Sequence, residues 1–128
     1  MSKTLSVIIP FFNEGENIRR IYDELDNVSK QAIGELKLEI LFIDNHSSDL
    51  SFEIAQSIAQ QDARVRIYRL SRNFGYQASI LTGYQHASGD AAVQLDSDGE
   101  DDPKLIAEFV SLWKQGYQVV YGIRRSRA

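Results

Sequence analysis

The chain has 128 residues, 43% hydrophobic and 25% charged, with 14 Lys and Arg against 18 Asp and Glu for a net charge of −4. That is the composition of one globular domain able to bury a core, and its acidic balance weighs against nucleic-acid binding, which needs a basic face. With no cysteine there is no disulfide framework, thiolate metal site or cysteine nucleophile.

No apolar run approaches the roughly 18–20 residues that cross a bilayer. The first residues, Met1 to Thr4, lead straight into a strand without a signal peptide. The expectation is a cytoplasmic chain, held at the cytoplasmic face of a membrane if it is part of a longer protein.

Strands and helices alternate along the sequence. Leu5 to Pro10 has few polar residues, as a strand covered on both faces requires. A loop from Phe11 to Gly15 precedes a helix from about Asn17, with Ile18, Ile21, Tyr22, Leu25 and Val28 at helical spacing. After Gly34 a second strand, Leu38 to Ile43, ends at Asp44. Ser47, Ser48 and Asp49 offer N-caps for a helix over about Ser51 to Gln60. Val65 to Leu70 alternates polar and apolar residues and reads as an edge strand. Ser71 to Gly75 opens a third helix that runs to about His86, and Ala91 to Leu95 reads as a buried fourth strand. Pro103 starts another helix, apolar at Leu105, Ile106, Phe109, Val110, Leu112 and Trp113. Val119 to Gly122 is a fifth strand before the basic tail Ile123 to Ala128, an ending expected of a piece cut from a larger fold. The alternation implies an α/β fold with a mostly parallel sheet and right-handed crossovers.

In such a sheet all strand ends share one edge, where open α/β folds bind ligands. Strand one brings Asn13 and Glu14 there, strand two Asp44, and strand four Asp96 and Asp98. Two carboxylates one residue apart suit a hard cation, Mg²⁺ or Mn²⁺, and that cation suits a diphosphate whose departure it would assist. The plain alternative is a solvated acidic turn ahead of the helix at Pro103. Asp44 suits an NH of a base or a sugar hydroxyl, or else caps the next helix; Asp49 is the better cap and would leave Asp44 free. Glu14 either contacts a nucleoside or caps the first helix. Pro10 stiffens the end of strand one. Arg72 and Asn73 favour an anion at a helix start, or merely form its turn. Arg124, Arg125 and Arg127 hold a diphosphate or an anionic headgroup, or lie in a solvated tail. His46 and His86 stand alone and read as structural.

Other folds with similar fragments fit less well. A dinucleotide-binding fold needs a glycine-rich turn where this chain has Pro10 to Gly15. A haloacid-dehalogenase-like phosphatase carries its Asp-x-Asp near the first strand, with a hydroxyl residue where this chain has Glu100.

The segments Val7 to Glu14, Phe42 to Asp49, Leu70 to Gly75 and Leu95 to Asp98 resemble, in order and spacing, the family 2 glycosyltransferases of the GT-A fold. The nearest branch is similar to dolichyl-phosphate mannose synthase and the bacterial undecaprenyl-phosphate sugar transferases. The resemblance implies a three-layer, Rossmann-like α/β fold. Residues 1–128 would be the N-terminal, nucleotide-sugar-binding part of a domain that transfers a sugar from a UDP- or GDP-sugar to polyprenyl phosphate. It places Pro10, Asn13, Glu14, Asp44, Arg72 and Arg124 at the donor, and Asp96 and Asp98 at both the donor and the metal. Asn45-His46 departs from the commoner Asp-Gly of the second motif. Family members continue past this point with their acceptor side and a catalytic carboxylate, so no catalytic residue is assigned here and turnover by the chain alone should be slight or nil. The strand missing beside strand four would leave an open sheet edge, which favours a homo-oligomer. The alternative of a different class is a catalytically incomplete nucleotide-binding or interaction module.

Overall fold

The structure, a computed structural model, describes residues 4–31 and 37–96. The expected helix at Pro103, the strand at Val119, Asp98 and Arg124 all lie outside the described residues. Within them the order is β1 (Thr4–Phe11), α1 (Asn17–Gln31), β2 (Lys37–Asp44), α2 (Ser51–Gln61), β3 (Val65–Arg69), α3 (Tyr76–His86) and β4 (Ala91–Gln94). The four strands form one sheet in the order β3-β2-β1-β4, and every pairing is parallel.

Side-chain alternation divides β1 between two layers. Val7, Ile9 and Phe11 pack on one face with Ile18, Ile21 and Leu25 of α1 and with Ala55 and Ile58 of α2. Ile8 faces the other way, beside Leu41 and Ile43 of β2. There α3 crosses close to the sheet. A Cβ built on Gly83 would overlap Ile8 Cγ2 and lie 3.2 Å from Ile8 Cγ1. The arrangement is the α/β fold with a parallel sheet that the alternation implied, in the three layers that the resemblance implied, and among the described residues β3 stands at an edge as its polar alternation suggested.

Two expectations change in detail. β4 is half-buried, with Ala92 exposed, because among the described residues only β1 pairs with it. α3 begins at Tyr76 rather than at Ser71. Asn73 Oδ1 accepts the Gly75 amide at 2.9 Å, and Gly75 has φ +93, a conformation in which the chain cannot be helical and glycine is strongly favoured. Residues 71–75 therefore form a loop.

At the amino end of the sheet, Arg64 joins α1 to the α2–β3 turn. Its Nη2 donates to Asp62 Oδ2 at 2.7 Å and to Asp26 Oδ1 at 2.8 Å. Tyr22 also donates to Asp62, at 2.6 Å. The Arg64 hydrogen bonds hold the Asp62 carboxyl well below the usual carboxylate range. Arg64, and then Lys30, lower Asp26 as well.

Two predictions follow from these contacts. Folding depresses both carboxyl pKa values, so the stability they add is complete above about pH 4 and is lost as pH falls through the lower folded values. Urea midpoints measured from pH 5 downward should therefore fall, and Asp62→Asn should flatten that fall. Gly83→Ala should destabilise by about 1–3 kcal/mol through overpacking against a stiff β-branched neighbour, although alanine is the better helix former. In urea unfolding, Ile8→Ala in the same chain should make the two costs less than additive.

Candidate active site

The strand ends enclose a cleft of about 530 Å³ at the carboxyl edge of the sheet. Pro10, Phe11, Phe12 and Glu14 line it from β1 and the loop that follows, and Asn45 from the turn after β2. Asn73 and Gly75 come from the β3–α3 loop, Tyr76 and Ser79 from the start of α3, and Asp96 from just beyond β4.

Asp96 is 7% exposed. It is set by the Leu95 amide, which donates to the Ile8 carbonyl at 2.9 Å and continues the β1–β4 pairing. Its Oδ1 accepts the Tyr76 hydroxyl, and Gln94 Nε2 donates to that same hydroxyl. Glu14 Oε2 accepts Asn17 Nδ2 at 3.2 Å, and its backbone carbonyl accepts the Asn17 amide at 3.1 Å, so both tie it to the start of α1.

Asp44 ends β2 as expected but is not among the residues that line the cleft. It is the last residue of β2 and wholly buried. Its Oδ1 accepts the Ser47 amide at 2.8 Å, and its Oδ2 makes no hydrogen bond but lies 3.3 Å from Arg69 Nε. Asp49 does accept the Ser51 amide, at 2.8 Å, yet this does not free Asp44, because a separate turn already uses it. The hydroxyls thought to cap α2 serve as ties between loops instead. Ser47 Oγ accepts the Asn13 amide at 2.9 Å and Ser48 Oγ accepts Asn13 Nδ2 at 3.3 Å, while Ser51, the first residue of α2, accepts the Gly15 amide through its Oγ at 2.7 Å.

Asn13 and Arg72 do not line the cleft either. Asn13 has φ +53, and its Oδ1 accepts the Ser48 amide at 2.8 Å and the Asp49 amide at 3.3 Å, so it clasps the two loops together. Arg72 stacks its guanidinium 4.5 Å above the Phe74 ring. His46 Nδ1 lies 3.0 Å from the Leu70 carbonyl, and the His86 ring packs on Tyr68 at 4.2 Å. Both histidines are structural, as their isolation implied.

Sequence reasoning passed over Phe12, Asn45, Tyr76 and Ser79. Asn45 is 7% exposed and works as a clamp. Its Nδ2 donates to Asn73 Oδ1 at 2.7 Å, while its Oδ1 accepts the Phe74 amide at 3.0 Å. A signal for Ser79 was present in the spacing. Ser79 and Gly83 are small residues four apart, so one face of α3 can approach the sheet closely.

Among the described residues, no three His, Cys, Asp or Glu side chains group together. Asp96 alone still fits a hard cation. Magnesium-type sites in phosphate chemistry use one or two carboxylates and take other ligands from water and substrate phosphates.

The model of the family described as glycosyl transferase family 2 matches residues 6–128. The chain belongs to that family. It is 40% identical over 122 residues to an uncharacterized glycosyltransferase, YkcC, of Bacillus subtilis, covering 95% of this chain and 37% of that protein. It is 36% identical over 130 residues to the undecaprenyl-phosphate 4-deoxy-4-formamido-L-arabinose transferase of Salmonella choleraesuis, covering 98% and 38% respectively. The mannosyltransferase PcManGT of Pyrobaculum calidifontis, solved in complex with GDP-Man and Mn²⁺, superposes with a TM-score of 0.66 at 22% identity over 77% of this chain and 28% of its own. That likeness gives the fold, which is GT-A. The chain thus spans 37–38% of the length of these two relatives.

Asn45→Ala should release the 71–75 loop at a cost of about 1–3 kcal/mol, since it removes a buried bridge and orphans its partners. Urea unfolding would give the cost, and hydrogen exchange at the Phe74 amide should quicken beyond the change in global stability.

Proposed function

We propose that residues 1–128 form the nucleotide-sugar-binding part of a transferase that takes a sugar from a UDP- or GDP-sugar, with Mg²⁺ or Mn²⁺, to a polyprenyl-phosphate acceptor. The observation that carries this reading is Asp96. It is a nearly buried carboxylate at the carboxyl end of a parallel strand, in a cleft walled by Phe11 and Phe12 and closed by the start of α3. The acceptor class is supported by the name of the Salmonella relative, and the metal and nucleotide sugar by the complex of PcManGT.

In this reading Phe12, 43% exposed at the cleft, offers an aromatic face to the nucleoside. Glu14 accepts hydroxyl or amino hydrogens of the same moiety. Asp44 acts from behind, because its grip on the Ser47 amide fixes the turn that carries Asn45. Tyr76 orients the Asp96 carboxylate, which with Asp98 would hold the cation. When bound, the cation offsets charge on the departing diphosphate. Arg124 would serve the phosphates, whereas Arg72, stacked on Phe74, does not line the cleft. The bond from the sugar's anomeric carbon to the diphosphate breaks, and a bond to an acceptor phosphate oxygen forms. A membrane-borne acceptor places the reaction at the cytoplasmic membrane face.

Calorimetric titration of the chain with UDP- and GDP-sugars, with and without Mn²⁺, tests the proposal. One of the two should bind only with the metal, and Asp96→Asn should weaken that binding at least about tenfold, or 1.4 kcal/mol. Metal-dependent binding that Asp96→Asn leaves unchanged would reject the assigned role.

A further inference from the structure

Ser79 lies one turn into α3, on the helix face turned towards β1. It is 1% exposed and lines the cleft. Its hydroxyl makes no hydrogen bond. A serine or threonine inside a helix commonly returns its hydroxyl to the carbonyl one turn back, as Thr82 does to Ala78 at 2.8 Å. Ser79 does not, although its amide reaches the Gly75 carbonyl at 3.4 Å. An unpaired buried hydroxyl costs stability, and one that borders a cleft can be satisfied by a partner that arrives from outside.

The start of the helix points the same way. Gly75, the N-cap of α3, also lines the cleft, so Ser79 stands one turn from the mouth that Gly75 and Tyr76 border. The charge of the cleft limits what can enter there. Its described lining holds the carboxylates of Glu14 and Asp96 and no Lys or Arg. Those two carboxylates favour a neutral group beside them over a bare phosphoryl oxygen. The walls from Pro10, Phe11 and Phe12 suit a flat ring, and a hydroxyl can both donate and accept.

We infer that Ser79 is a specificity-determining residue whose hydroxyl hydrogen-bonds a neutral carbonyl or amino group on the edge of a nucleobase. The phosphates then lie towards Asp96 and its cation. The inference rests on the nucleotide-binding reading above, and it assigns the base to one named atom.

The test titrates the full chain and its Ser79→Ala variant, both with Mn²⁺, with uridine, guanosine, their diphosphates, ribose 5-phosphate and pyrophosphate. Ser79→Ala removes an unpaired buried group, so its thermal midpoint should be equal to or above that of the parent. Its affinity for the preferred nucleoside should fall about threefold to tenfold, the value of one hydrogen bond. The diphosphate of that nucleoside should lose affinity by the same factor, with ribose 5-phosphate and pyrophosphate unaffected. Unchanged nucleoside affinity overturns the inference, as does an equal loss for ribose 5-phosphate or pyrophosphate. A lowered thermal midpoint would assign Ser79 to the fold and overturn it too. A parent chain that binds no nucleotide defeats both this inference and the donor-site reading, while parent binding that survives Ser79→Ala intact defeats only this one.

Discussion

Parallel pairing is the constraint on which everything else in this chain depends. β1 lies between β2 and β4 with all three running the same way, and β3 extends the set beyond β2. Each strand therefore ends at the same rim. The register places Phe11 opposite Asp44, and Asp44 opposite Arg69. Helices on both faces bury the strand interiors, so Val7, Ile8 and Ile9 have no exposure at all. At this rim polar chemistry is thereby displaced to the residues at and just past the strand ends, while towards the amino end the buried Ser6 donates to the half-buried Glu39. Asp96 is the outcome at β4. Asp44 is the borderline case at β2, still within the strand, buried, and kept tolerable by the Ser47 amide and the neighbouring Arg69 guanidinium.

Loops at such a rim must be fixed before they can present side chains, and here they are fixed to one another. Asn13 clasps the turn after β2, Ser51 holds the Gly15 amide, and Asn45 spans to the loop before α3. Two non-glycine residues in this web, Asn13 and His46, have positive φ, a conformation that carries a strain cost. Asn13 recovers it through three hydrogen-bonded neighbours, and His46 through its contact with the Leu70 carbonyl. The Asn45-His46 pair that departs from the commoner Asp-Gly thus has a local rationale. An amide at 45 can donate to Asn73 and accept from Phe74 at once, which a carboxylate could not do.

How far the sequence could be read follows from which physical effects are local. The strands and helices were legible because apolar spacing reports burial directly, from Val7-Ile8-Ile9 in β1 to Ile18, Ile21 and Leu25 in α1. The edge position of β3 was legible in its polar alternation. The start of α3 was not, because an Asn73 side chain bonding the Gly75 amide competes with helix in a way that propensity does not register. The lining of the cleft was legible at Glu14 and Asp96, which stand within three residues of the ends of β1 and β4. It was obscured where polar side chains from separate loops satisfy one another. Asn13 and Asp44 look like ligand contacts in the sequence, yet in the fold they hold turns. Tyr76 and Ser79 enter the cleft only because Gly83 lets α3 approach Ile8, a contact between residues 75 positions apart in the chain.

That close approach makes α3 the common support of both ends of the cleft. Tyr76 bonds the Asp96 carboxylate from the first turn, and Ser79 borders the cleft three residues further on, about 4.5 Å along the axis. A carboxylate and an unpaired hydroxyl so near each other ask for different things. In the proposed reading the first takes a cation and the second a neutral hydrogen-bonding group. No single small ion satisfies both. A ligand charged at one end and uncharged at the other does, provided a cation accompanies the charged end, and a nucleoside diphosphate has that polarity. The same helix then couples the two demands, because any shift of α3 over Ile8 moves Tyr76 and Ser79 together.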